Sequence, residues 1–226
     1  MKIAIITDIH EDCFSLLKVF KEIENRKIDK VFCLGDIVGF NLEYHYHYLD
    51  TKSADKSLEI LRKNKAISVL GNHDINFLGT NNVDVKGRDQ YKYDDEHIDI
   101  SFLSKMYLKE CNVLHTEKRI LFSHFLYPNL NGLYKPEENQ LKLIKDHFLF
   151  MSQKRVFLSF IGHLHTPKVQ VITNKKIIEL KENQEIYLDK SCLNVINCPP
   201  VVCNRNKQTN MLQYNTLTNE LLWVVV

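Results

Sequence analysis

"AISVLGNHD", residues 66–74, runs from a stretch of apolar residues straight into a glycine, an amide, an imidazole and a carboxylate. Read alone it is a turn, because Gly, Asn and Asp tolerate positive φ and hydrogen-bond their own backbone. The same transition recurs along the chain. "KIAIITDIH" (2–10), "DKVFCLGD" (29–36), "RILFSHF" (119–125) and "RVFLSFIGHLH" (155–165) each pass from an apolar run into His, Asp or Asn. Continuous apolar runs of this length read as strands buried on both faces.

The segments between them are helical in pattern. "DCFSLLKVFKEIENRK" (12–27) has Phe14, Leu17, Val19, Phe20 and Ile23 near helical spacing, and "SADKSLEILRKN" (53–64) has Leu58 and Leu61 on one face. Strand, helix, strand, helix, strand at these lengths predicts parallel βαβ units. Further helices are expected over 94–110, with Ile98, Phe102 and Met106 on one face, and over 139–153. Between these two, residues 111–125 read as two short strands around a turn at Glu117 and Lys118. From Pro167 onward the pattern is all strand: "KVQVITN", "KKIIEL", "SCLNVIN", "NMLQYNT" and "LLWVVV". Two mixed sheets packed face to face with helices outside accommodate both parts. With no repeat and no Pro/Gly-rich linker, residues 1–226 are expected to form a single domain.

Composition excludes several classes. The chain is 44% hydrophobic and 26% charged, with a formal net charge of +2, which argues against nucleic acid as a partner. No apolar stretch is long enough to span a membrane, and the start does not read as a signal peptide, so a cytoplasmic location is expected. The six cysteines form no C-x-x-C pair and read as free thiols.

The strand ends carry the functional signal. In open α/β sheets, ligands bind beyond the carboxyl ends of the strands. Asp8, His10, Asp36, Asn72, His73, His124, His163 and His165 all sit at such ends. One such residue is ordinarily a cap or a structural histidine; five strand ends of ligand type make one crevice. Residues i and i+2 point the same way in an extended chain, so Asp8 with His10, and His163 with His165, are expected to face one site. The other histidines, His45, His47, His97, His115 and His147, read as surface or packing residues. The crevice set is too large for one ion and suits two ions sharing a carboxylate. Its nitrogen and oxygen donors favour Mn, Fe, Zn, Ni or Mg.

In order and type, "DIH", "GDIVG", "GNHD", "SH" and "GHLH" resemble the motifs of the calcineurin-like metallophosphoesterases, and "GDIVGF" is similar to the small bacterial and archaeal phosphodiesterase-like branch. The blocks span residues 8–165. The resemblance implies a four-layer α/β/β/α sandwich and a dinuclear site for two divalent metal ions, drawn from Mn, Fe, Zn or Ni. By position, it implies Asp8, His10 and His165 on one metal and Asn72, His124 and His163 on the other. Asp36 would bridge both, and His73 would stay off the metals as the catalytic acid beside the phosphate. A hydroxide generated between the ions would attack phosphorus directly. The implied substrate is a small phosphorylated molecule, a nucleotide among the candidates, with a diester favoured over a monoester. The competing reading is a protein-interaction scaffold on the same fold.

Departures from the family pattern matter. The protein phosphatase branch has an acid three residues after the metal Asp, supporting its catalytic His; here that position is Gly39. Where the first block usually ends in Gly-Asn, this chain has Glu11 and Asp12. Two acids bordering the crevice should penalise a dianionic monoester more than a diester. Asp74 reads either as a group that orients a neighbour or as a helix cap. "NLEYHYHYL" (41–49) offers tyrosines and histidines to a substrate, and Arg205, in "INCPPVVCNRN" (196–206), offers a phosphate contact beside Asn72 and His73.

Overall fold

The computed structural model describes residues 1–39, 51–79, 98, 100–127, 137–165, 168–202 and 208–226. Among these, two mixed sheets of six strands pack face to face and helices cover their outer sides. The first sheet has the order β3–β2–β1–β11–β12–β9 and is built from Ile67–Ser68, Lys30–Cys33, Lys2–Ile6, Asn210–Asn215, Glu220–Val225 and Glu185–Tyr187. The second has the order β4–β5–β6–β10–β7–β8, from Leu114–Glu117, Ile120–Ser123, Leu158–Ile161, Asn194–Asn197, Gln170–Thr173 and Ile177–Glu179. β1, β2 and β3 run parallel, as do β5, β6 and β10; the remaining pairings are antiparallel.

Strand alternation divides the apolar residues between layers. Ile3, Ile5, Phe32, Leu34, Phe122 and Phe160 face into the space between the sheets with Leu212, Tyr214 and Trp223. The rings of Phe32 and Phe122 stack across it at 3.8 Å between centroids. On the opposite faces, Ala4, Ile6, Val31 and Cys33 meet the helices α1 (Cys13–Asn25) and α2 (Ala54–Lys63). Leu121, Ile161 and Val195 meet α5 (Glu137–Gln153) in the same way. Burial on both faces is why these strands read as unbroken apolar runs.

Several local expectations are corrected. In α1 the buried face is Leu16, Val19, Phe20 and Ile23, while Phe14 and Leu17 are 58% and 45% exposed. The helix expected over 94–110 is α4, Phe102–Glu110, and it buries Ser104 and Leu108 rather than Phe102 or Met106. Ser101 sets its start: its Oγ accepts from Ser104 N at 3.3 Å, and Asp55 Oδ1 accepts from Ser101 N and Oγ. β9 was not expected, and β3 is only two residues long. Asn72, His73 and Asp74 open a further short helix, α3 (Asn72–Leu78), which Gly79 ends in a left-handed conformation at φ 61°.

Candidate metal centre

The carboxyl ends of β1, β2, β5 and β6 and the start of α3 meet at one edge of the sandwich. There the chain turns abruptly. Asp8 (φ 53°), His10 (46°), Asp36 (50°), His163 (76°) and His165 (46°) all adopt left-handed backbone. Each such residue costs roughly 1–2 kcal/mol, and a cluster of them marks a functional site. This corrects the extended-chain argument. Asp8 with His10, and His163 with His165, converge because the backbone coils after each strand. Ile9 N and His10 N both donate to Asp36 O, at 2.8 and 3.0 Å, which ties the first coil to the second strand end.

Close approach makes two glycines necessary. A Cβ on Gly71 would lie 2.1 Å from Asp36 Oδ1, and one on Gly35 would lie 2.3 Å from Gly71 N. The "GD" and "GNHD" loops therefore touch backbone to backbone, which lets His73 N donate to Asp36 Oδ1 at 3.0 Å.

The donor atoms fall into two groups sharing one carboxylate. Asp8, His10, Asp36 and His165 form one; Asp36, His124 and His163 form the other, and within each group the candidate donor atoms lie within 4.8 Å of one another. Asn72 Oδ1 joins the second, 3.1 Å from His124 Nε2 and 2.8 Å from His163 Nδ1. Asp36 Oδ2 lies 3.2 Å from His124 Nε2 and 3.8 Å from His10 Nε2, so one oxygen faces both groups. His73 belongs to neither group; its ring meets that of His10 edge-on at 4.9 Å.

The lone pairs test whether metal ions fit. His10 Nδ1 lies 2.7 Å from Gly39 O, and His124 Nδ1 lies 2.8 Å from Leu34 O. A carbonyl only accepts, so both Nδ1 atoms carry a proton, and each Nε2 offers an inward lone pair to an ion once it is itself deprotonated. His10 Nε2 is 2.9 Å from His165 Nε2, and His124 Nε2 is 3.1 Å from His163 Nδ1. Two donors at right angles on metal bonds of ~2.1 Å are themselves about 3.0 Å apart. Asp8 completes the pattern: its Oδ2 accepts from Thr7 Oγ1 at 2.7 Å and His163 N at 3.1 Å, leaving Oδ1 toward the cluster, 3.2 Å from His165 Nε2. Divalent ions suit this donor set. Fixing ligands through their outer atoms in this way is how a second layer of residues orients a metal site.

The electrostatics of the metal-free protein match. Burial alone would raise the Asp36 carboxyl, but the His124 and His73 imidazoles hold it well below the usual range. Burial would lower His124, yet Asp36 overrides it and lifts the imidazole to about 9. His163, buried beside cationic His124, falls to about 3. Protons thus hold the cluster together where ions would otherwise do so.

The remaining acids are structural. Asp12 Oδ1 caps α1 through Ser15 N at 2.9 Å. Glu11 is buried, its Oε1 accepting from Gly39 N at 3.1 Å and its Oε2 from Lys52 Nζ at 3.1 Å. Neither presents a free charge to the crevice, so the expected repulsion of a dianionic ester loses its basis. Asp74 takes both of its readings. Oδ2 accepts from Gly71 N at 2.9 Å at the helix start, and Oδ1 accepts from Ile37 N and Val38 N at 3.0 and 3.1 Å, binding the two loops. Burial and nearby Asp36 raise its carboxyl to about 7.

Gly39 packs against the His73 ring, where an added Cβ would lie 2.4 Å from Nδ1. Thr7 escaped the sequence reading, although its place between strand and ligand was a signal. The segment after β10 borders the site, with Val201 N donating to Thr7 O and Val202 N to Asp8 O. Residues 41–49 and Arg205 lie outside the described residues. His147 is a packing residue: Nδ1 donates to Tyr127 O at 2.7 Å and Nε2 accepts from Ser159 Oγ at 2.9 Å. The described cysteines, Cys13, Cys33, Cys111, Cys192 and Cys198, are free.

This sandwich gathers its histidines and aspartates at one edge. The chain matches the calcineurin-like phosphoesterase family model over residues 1–209 and belongs to that family. It is 28% identical over 210 residues to an uncharacterized protein of Methanocaldococcus jannaschii, covering 86% of this chain and 74% of that one. The fold is similar to a metallophosphoesterase from Sphaerobacter thermophilus (TM-score 0.75, 19% identity, 100% of this chain and 88% of that one). It is also similar to an archaeal phosphodiesterase (TM-score 0.51, 15% identity, all of both chains). No helix among the described residues is long and apolar enough to cross a membrane.

Proposed function

We propose that the protein hydrolyses phosphodiesters with two divalent ions held in the paired donor groups, one by Asp8, His10 and His165 and the other by Asn72, His124 and His163, with Asp36 between them. The observation that carries this reading is the Asp36 carboxylate oxygen facing a histidine of each group, His10 and His124. When bound, such a pair of ions supplies an acidified water and a clamp on the attacking and leaving oxygens of an in-line displacement. The chain's own residues do the rest. Asn72 turns its amide oxygen inward, against His124 and His163. His73, outside both groups yet against His10, donates a proton to the leaving alkoxide, a role worth roughly 10²–10⁴ in rate. Thr7, Gly39 O and Leu34 O hold their ligands in one orientation, so little rearrangement accompanies the reaction.

Diesters are favoured because the Lys52 ammonium is taken up by Glu11, which leaves one cation fewer for a second phosphate charge. Metal analysis followed by parallel assays of bis-p-nitrophenyl phosphate, p-nitrophenyl phosphate and dinucleotides with Mn²⁺ tests this. The expected outcome is a higher kcat/KM for the diester. A preference for the monoester overturns the ester class and leaves the metal centre standing, whereas metal-loaded protein inert toward every ester overturns the hydrolase reading.

A further inference from the structure

A second concavity lies at the opposite ends of the strands that carry the histidines. β5 begins beside Arg119 and ends beside His124; β6 begins beside Phe157 and ends two residues before His163. A four-residue strand spans roughly 13 Å, so the two places are separated by the thickness of the sheet edge to edge. The cavity measures about 720 Å³. Lys118, Arg119, Lys154, Arg155 and Lys190 line it, against one carboxylate, that of Glu117. Glu117 is engaged from outside by Lys30 Nζ at 2.8 Å. Asp189, next to Lys190, commits its carboxylate to its own turn, accepting from Ser191 N at 2.8 Å. The whole chain carries only +2, so the cavity concentrates cationic charge far beyond the average surface.

The backbone holds these cations together against their repulsion. Lys118 (φ 48°), Arg119 (67°) and Arg155 (55°) all adopt left-handed conformations in two adjacent turns. Arg119 Nε donates to Arg155 O at 3.1 Å, and Phe157 N donates to Arg119 O at 3.1 Å, cross-tying the turns. A concave wall of one sign focuses its field on an anion inside. The volume is that of a small-molecule site rather than an extended strand-binding groove.

We propose that this cavity binds a compact polyanion, a small molecule bearing two or more phosphate groups, independently of the metal centre. The test is equilibrium dialysis of metal-stripped protein against radiolabelled pyrophosphate at low salt. One equivalent should bind with a Kd below about 1 mM, weakening as salt rises. The Lys154→Glu/Lys190→Glu variant changes two exposed side chains and should bind at least tenfold more weakly, whereas Asp36→Asn should bind as the wild type does. Absence of binding at about 1 mM, or equal binding by the Lys154→Glu/Lys190→Glu variant, overturns the proposal. Tighter binding by a folded Asp36→Asn variant, which removes a negative charge from the metal-stripped centre, would place the anion there and overturn it too. Tighter binding of a single-stranded 12-mer than of pyrophosphate would make the occupant a nucleic acid and overturn the small-ligand assignment. None of these outcomes depends on whether the protein hydrolyses esters.

Discussion

The two halves of the histidine cluster use the same chemistry at different depths. His124 is fully buried, and Asn72 and His163 are 3% and 6% exposed. In the other half Asp8 and His10 are equally buried, but the His165 side chain is 30% exposed. The deep half is drawn from α3 and the second sheet; the open half joins the end of β1 to the last loop of the "GHLH" block. If ions occupy both halves as proposed, the difference would let one site both keep and exchange them. A ligand at the surface gives an ion a path in and out, while a ligand packed under Phe125 does not.

Outside both halves, the largest effect should come from His73. His73→Ala should lower kcat by roughly 10²–10⁴ with both ions still bound, read by single-turnover assays beside metal analysis. Loss of either ion would make His73 a ligand. Thr7 bonds directly to Asp8, a donor of the open half. Thr7→Val, a change of equal volume, removes the bond to Asp8 Oδ2 and should weaken that half's ion by about 10–100-fold in a chelator competition. Equal weakening of both ions would mean the halves do not act separately.

Acidity supplies a smaller test, and its sign follows from the deep half. His124 is raised to about 9 in the metal-free protein, so near neutrality it carries a proton that an ion must displace. His163, lowered to about 3, is already neutral and releases none. Affinity of the deep half should therefore fall about tenfold for each unit that pH drops below 9, one proton per ion, as read by calorimetry in buffers of different ionisation enthalpy. A slope of two protons would contradict the neutral state of His163. The smallest effect is a control outside both halves. Asp12→Ala removes the α1 cap and should cost about 1 kcal/mol of stability in thermal unfolding. Metal content and ester preference should stay unchanged; a shift in preference would return Asp12 to the crevice.

Much of the site was legible because its residues follow strands buried on both faces, whose unbroken apolar runs point to their own ends. Asp36 after "KVFCLG" and His124 after "ILFS" stood out for that reason. What holds those residues was not legible. Gly39 O under His10 and Leu34 O under His124 are backbone atoms, and any sequence supplies them. Glu11 and Asp12 read as site acids because neighbours in sequence share a region, yet their side chains turn to Lys52, Gly39 N and Ser15 N. The left-handed turns at Asp8 and His163 were equally invisible, since neither residue is a glycine. The seven residues of α3 are too few to show a helical period, and its first turn is polar because Asn72 enters the cluster while Asp74 ties the two loops together.

Asp36 Oδ2 lies between the two halves, 3.8 Å from His10 Nε2 and 3.2 Å from His124 Nε2. The most direct measurement is the number of ions bound per chain, by elemental analysis of wild type and Asp36→Asn reconstituted with Mn²⁺, with circular dichroism to establish that both are folded. Two ions are expected in the wild type and none in the variant, because each half gives up the oxygen that faces it. A folded Asp36→Asn protein that keeps an ion in either half, or a wild type that saturates at one, contradicts it.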